Sequence, residues 1–175
     1  MRRLLPTLAV TTCLLSGLFP AISWAQENSG FTLFSGVKSE NELPYKLDFG
    51  GQTSMWDRYH LRIPAKKMKL AVAEFAITYP NYYHGNFDTK EIEVRVKDKK
   101  VPLQGVRWDK DNHVVELTLQ EPVTADKPVD LVFSDVRNPN FGGTFYFNCE
   151  ILSPGDVPLR RYLGTWILTI GRERR

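Results

Sequence analysis

Alternation with a period of two recurs from Tyr45 to Ile170, and helical period does not. Tyr45, Leu47 and Phe49 alternate with Lys46 and Asp48. Tyr59, Leu61 and Ile63 alternate with Arg58, His60 and Arg62, and Ala73, Phe75, Ile77 and Tyr79 with Glu74 and Thr78. Ile92, Val94 and Val96 are interleaved with Glu91, Glu93, Arg95 and Lys97. Val115, Leu117 and Leu119 oppose Glu116, Thr118 and Gln120, and Val129, Leu131 and Phe133 follow. Phe145, Phe147, Cys149 and Ile151 oppose Thr144, Tyr146, Asn148 and Glu150, and Trp166, Leu168 and Ile170 close the series. Each run has one apolar and one wet face, the pattern of antiparallel sheets. Gly50-Gly51, Pro80-Asn81, Asp98-Lys99, Asp109 to Asn112, Asp126 to Pro128, Asn138 to Asn140 and Ser153 to Gly155 separate them as turns. About eight strands with one-faced burial predict an antiparallel, immunoglobulin-like β-sandwich, in which the two apolar faces cover each other. Lys66 to Ala71 fits a short helical turn.

Ahead of the strands, Met1-Arg2-Arg3 leads into an apolar stretch from Leu4 to Phe19 and then Ala21-Ile22-Ser23-Trp24-Ala25. Positive charge, an apolar run and small residues at Ser23 and Ala25 are the features of a secretory signal peptide, with cleavage after Ala25. Pro6, Thr11, Thr12, Ser16 and Gly17 interrupt the run, which makes it a poor transmembrane span; an uncleaved anchor is the alternative. The expected organisation is a signal peptide at 1–25, a short segment at 26–30, one β-sandwich domain at 31–170 and a basic tail at 171–175.

Removing the leader takes away Arg2 and Arg3 and lowers the formal charge from +3 to +1. A near-neutral domain gives no reason to expect a nucleic-acid partner. Hydrophobic residues at 42 % and charged residues at 25 % exclude a disordered chain and a multi-span membrane protein. Cys149 is the single cysteine outside the leader. It shares a strand face with Phe145, Phe147 and Ile151, which predicts a core thiol rather than a nucleophile.

No catalytic constellation stands out. His60, His84 and His113 lack metal-ligand spacing, and no metal or cofactor is expected. Asp109 and Asp111 open like a calcium loop, but Val114 and Gln120 stand where the pattern needs Gly and Glu, so a polar hairpin turn is expected. Gly-x-Ser-x-Gly and phosphate-binding loops are absent from the sequence. The segment built for contact is Tyr79 to Phe87, where Tyr79, Tyr82, Tyr83, His84 and Phe87 concentrate aromatic rings in a loop. The competing reading is that these rings cap the end of the sandwich.

The order Arg137-Asn138-Pro139, Gly142-Gly143, an aromatic strand from Phe145 to Phe147, Pro154-Gly155 and Tyr162-Leu163-Gly164 resembles the cyanobacterial domain-of-unknown-function 2808 family. The Pro-bearing connection Glu121 to Pro128 and the strand from Tyr59 to Pro64 fit the same resemblance. It implies an exported protein and supplies no catalytic residue. The motif residues read as structural: a turn at Asn138-Pro139, a bulge or positive φ at Gly142-Gly143, and Arg137 bonded to carbonyls or paired with Asp135. A cyanobacterial origin would send the chain to the periplasm or the thylakoid lumen.

These features together lead to an exported, non-catalytic sandwich that binds a protein partner at the envelope or thylakoid membrane. A carbohydrate-binding module, stacking sugar on Tyr82 and Tyr83, is the alternative. A hydrolase using two carboxylates in a cleft is a third.

Overall fold

A computed structural model describes residues 36–155 and 159–171. The expected signal peptide at 1–25, the segment expected at 26–30 and residues 172–175 of the expected tail lie outside the described residues.

Ten strands form two five-stranded antiparallel sheets. In chain order they are β1 (Tyr45–Leu47), β2 (Trp56–Ile63), β3 (Val72–Thr78), β4 (Ile92–Val96), β5 (Lys99–Val101), β6 (Leu103–Asp109), β7 (Val114–Val123), β8 (Val129–Arg137), β9 (Gly143–Leu152) and β10 (Arg160–Ile170). One sheet has the order β1-β2-β8-β4-β5 and the other β10-β9-β3-β7-β6. Three 3₁₀ turns, Ser39–Asn41, Ala65–Lys67 and Thr89–Glu91, are the helical content of the described residues, and none is long or apolar enough to cross a membrane.

The alternating residues become the core. Tyr59, Leu61, Leu131 and Phe133 from the first sheet meet Phe75, Ile77, Leu117, Phe145, Phe147 and Trp166 from the second, all essentially without exposure. Each such side chain contributes about 1.5–3 kcal/mol by leaving water. Trp166 also donates its indole N–H across the sandwich to the Arg62 carbonyl at 3.0 Å, so its one polar atom is satisfied. Cys149 lies wholly inside, and burial pushes its thiol up from its ordinary range.

The eight expected strands are present, and β5 and β6 are additional. β6 escapes the period-two pattern because its pairing with β7 shifts between Leu103 and Gly105. The extra residue moves Val106 and Trp108 out of phase with Leu103. The chain turns from one sheet to the other at Pro102, whose carbonyl accepts from the Gln120 amide at 3.0 Å.

The opposite edge is closed by the segment before β1. The Leu43 amide donates to the Thr165 carbonyl at 2.8 Å, and Glu42 bridges Thr165 in parallel. Gly164 makes this possible: a Cβ there would stand 2.7 Å from both the Asn41 carbonyl oxygen and Leu43 Cγ. The loop between β1 and β2 closes the same edge lower down, with the Gly171 amide donating to Gly51 at 2.9 Å. Gly51 has φ of +64° and no room for a side chain beside Thr169.

The expectation for Gly142-Gly143 is corrected. Neither has a positive φ and neither forms a bulge. Gly142 is required for close approach, since a Cβ would meet the Ile170 carbonyl oxygen at 3.0 Å. The bulge falls in β10 instead, between Tyr162 and Gly164.

Candidate functional site

The loops at one end of the sandwich gather most of the chemistry-bearing side chains. The ends of β1, β3, β6, β8 and β10 and the starts of β2, β4, β7 and β9 meet there. They are tied by Ser54 N–H donating to the Pro139 carbonyl (2.9 Å), Tyr79 N–H to His113 (3.0 Å) and a two-bond bridge between Asn86 and Arg137 (2.9 and 2.8 Å).

The aromatic loop folds inward. Tyr79, Tyr83 and Phe87 are 8, 3 and 3 % exposed, so the expectation that they form a contact surface is corrected: they cap the core. The Tyr83 amide donates back to Pro80 at 2.9 Å, and this turn directs the ring between Phe145 and Phe147, with centroids at 5.2 and 4.9 Å. Tyr82 and His84 remain outside, Tyr82 against Phe145 and His84 against Phe141.

Burial of Tyr83 creates a polar chain inside the loop end. Its hydroxyl lies 3.1 Å from the Tyr59 hydroxyl, and Tyr59 in turn donates to Asn138 Oδ1. Asn138 Nδ2 donates to the Gln52 carbonyl at 2.8 Å. Because Oδ1 can only accept, Tyr59 is the donor to it, and Tyr83 donates to Tyr59. Desolvation raises both phenols above their ordinary range. Asn138 therefore does more than form a turn: it anchors the loop preceding β2 to the end of β8.

Asp57, 1 % exposed, fixes the other side of that loop. Its carboxylate accepts from the backbone amides of Phe49 (2.9 Å), Gly51 (2.8 Å) and Arg58 (2.7 Å). These bonds satisfy a buried charge that would otherwise be costly.

Arg137 departs from its expected role. Its guanidinium sits over the Trp56 ring at 5.4 Å, and no bond from it to Asp135 is found among the described residues. Tyr162, Leu163 and Gly164 stand at the bulge of β10. Leu163 is buried, Gly164 admits the segment before β1, and Tyr162 bonds Thr165 at 2.6 Å.

Two surface features emerge that sequence reasoning missed, Tyr82 apart. The first is apolar: Phe49, Met55, Trp56, Tyr82 and Phe141, between 41 and 60 % exposed, all stand on this end. The second is an open cleft of about 520 Å³ lined by Trp56, Phe87, Asp88, Trp108 and Asp135. Two carboxylates thus line one cleft, although both are exposed and lack the apolar enclosure that a general acid needs. Among the described residues, no group of three or more His, Cys, Asp or Glu side chains is placed to hold a metal ion.

His60 and Cys149 lie elsewhere. His60 bridges Asp130 (2.8 Å) and Asp48 (3.3 Å) on the outer face of the first sheet. Asp109 to Asn112 is the expected polar turn, with Asp109 accepting from the Asn112 amide at 3.0 Å.

Two five-stranded antiparallel sheets packed over one core define this chain as a β-sandwich domain. Over residues 31–170 its sequence matches the family described as protein of unknown function DUF2808, and the chain belongs to that family. No curated protein has a matching sequence. In architecture it is similar to an uncharacterized Nocardia farcinica protein with an immunoglobulin-like fold (15 % identity, 74 % of this chain and 98 % of that one, TM-score 0.42). It is also similar to the collagen-binding domain of a Staphylococcus aureus adhesin (9 % identity, 74 % and 97 %, TM-score 0.44).

Proposed function

We propose that this chain is an exported, non-catalytic binding module that docks on a protein partner at the cell envelope or thylakoid membrane. The docking surface is the loop end. One observation carries the reading: among the described residues, five of the nine large apolar side chains that stand exposed are gathered there. Apolar groups clustered in this way mark interaction surfaces, whereas single ones are ordinary.

Tyr82 rests on the buried Phe145 at 5.6 Å between ring centroids, and the Met55 backbone is tied to the end of β8. The Met55 carbonyl accepts from Asn138 at 2.9 Å, and Phe141 packs at 6.1 Å on the buried Phe145. A pre-positioned apolar surface loses little entropy on binding. The near-neutral charge of the chain after its leader points to shape and aromatic contact rather than steering by charge. The leader at 1–25 supports export, to the periplasm or the thylakoid lumen.

The test is a crosslinking pull-down from fractionated cells with the full chain and with Met55→Ser, Tyr82→Ser, Phe141→Ser combined. A reproducible partner recovered by the unmodified chain and lost with the triple variant supports the reading. Recovery of monomer alone, or of the same partner by both, overturns it.

A further inference from the structure

The cleft next to the docking patch shares Trp56 with it and has its own chemistry. Four segments far apart in sequence build it: the start of β2, the connection between β3 and β4, the end of β6 and the bulge of β8. Trp108 is held in place, since its indole N–H donates to the Tyr79 hydroxyl at 2.7 Å and Phe87 meets its ring edge-on at 5.1 Å. Trp56, about half exposed, lines the same cleft.

The polar groups of the cleft are not consumed by the fold. Asp135 has no hydrogen-bond or ion-pair partner among the described residues. It also occupies a left-handed backbone conformation, φ +51°, which glycine adopts most readily and Asp tolerates. The conformation has a local origin: between Asp57 and Tyr59, β8 carries two residues, Ser134 and Asp135, opposite Arg58 alone. The extra residue places Asp135 on the cleft. Asp88 uses one carboxylate oxygen to accept from the Lys90 amide at 2.9 Å and leaves the other free. The Asn86 backbone is locked to Arg137, while its side chain has no partner among the described residues.

We propose that the cleft between Trp56 and Trp108 binds a neutral saccharide unit, its ring stacked on indole and its hydroxyls bonded by Asn86, Asp88 and Asp135. A pyranose has apolar C–H faces and an equatorial belt of donors and acceptors, and this cleft is lined by two indoles together with Asn86, Asp88 and Asp135. A cationic ligand fits less well, because Arg137 already stands over Trp56 at 5.4 Å and Lys110 over Trp108 at 4.2 Å. An anionic ligand would meet two carboxylates. A second depression of about 280 Å³ shares Trp108 and Asn86 with the first, so the surface continues past one sugar to a neighbouring unit of a chain. The site goes beyond the protein-docking reading and does not depend on it. It also relocates the sugar contact from Tyr83, which is buried, to the two tryptophans.

The test is affinity electrophoresis of the full chain in gels containing neutral polysaccharides (mannan, dextran, hydroxyethyl cellulose), with alginate and chitosan as charged arms. Retardation by at least one neutral polysaccharide is expected, weakened at least tenfold by Trp56→Ala and by Asp135→Gly. Asp135→Gly is decisive: glycine suits the φ of this position, so its Tm stays level or rises while binding is lost. Phe141→Ser, which weakens the docking patch, leaves retardation unchanged. Retardation by no neutral polysaccharide, by charged ones alone, or retained in both cleft variants overturns the proposal.

Discussion

Tyr59 in β2 donates its hydroxyl to the side-chain carbonyl of Asn138 at the end of β8, and both are almost fully buried. This bond lies in the middle of a chain running from Tyr83 to the Gln52 carbonyl. It makes the loop end of the sandwich a fixed surface.

Removing its members should cost stability in a defined order. Tyr59→Phe strands the Asn138 oxygen without a donor and should cost about 2 kcal/mol, or about 7 °C in Tm. Asn138→Ala removes two bonds and leaves a void, and should cost more. Tyr83→Phe removes only the terminal donor and should cost less. Thermal denaturation of the three variants checks the order, and a Tyr83→Phe loss equal to that of Asn138→Ala would break it.

Gly164→Ala should loosen the edge closed by residues 41–43. A methyl group there meets the Asn41 carbonyl and Leu43 at 2.7 Å, and the backbone atom cannot swing aside. Trypsin should cut at the exposed Lys38 faster in the variant than in the parent, with β9 and β10 still protected in hydrogen exchange.

Acid should weaken the sandwich partly through Glu116. The Arg107 guanidinium, with Arg160 adding to it, holds the Glu116 carboxyl below its ordinary range. The folded state therefore prefers the charged form. That stabilisation is complete above the unfolded-state pKa near 4.5, and is lost as pH falls through the lowered folded value. Glu116→Gln should lower Tm at pH 7 by about 3 °C, a modest loss because Arg107 is largely in solvent. It should also flatten the decline of Tm between pH 5 and about pH 3. An unchanged acid slope would assign the decline to other carboxylates, such as Glu93, which Lys100 and Arg95 hold below its ordinary range in the same way.

Cys149 should react with thiol reagents only when the domain unfolds. It is fully buried and its thiol is pushed up by desolvation. Labelling followed across a denaturant series should track the global transition, and fast labelling in buffer would contradict this placement.

How much of this was legible follows from what the period-two signal encodes. Phe75, Phe147 and Trp166 are read as core because each lies in an unbroken alternating run. Val106 and Trp108 are not, because the irregularity between Leu103 and Gly105 breaks the phase, and β5 offers only Lys99-Lys100-Val101. The aromatic loop was visible as a cluster, but its inward fold depends on the turn from Pro80 to Tyr83 and on space between Phe145 and Phe147. The cleft had no local signature at all. Trp56, Asp88, Trp108 and Asp135 come together only because β2 starts, β6 ends and β8 bulges at one pole.

The most direct measurement on docking by the loop end is site-specific photo-crosslinking in cells. One photoreactive residue replaces Phe141 and another replaces Leu159, which is likewise apolar and more exposed (66 against 41 %) but lies outside the loop end, just before β10. The loop-end probe should give a single reproducible adduct that disappears with Met55→Ser and Tyr82→Ser, while the Leu159 probe gives none. Equal adducts from both positions, or uncrosslinked monomer from Phe141, would contradict it.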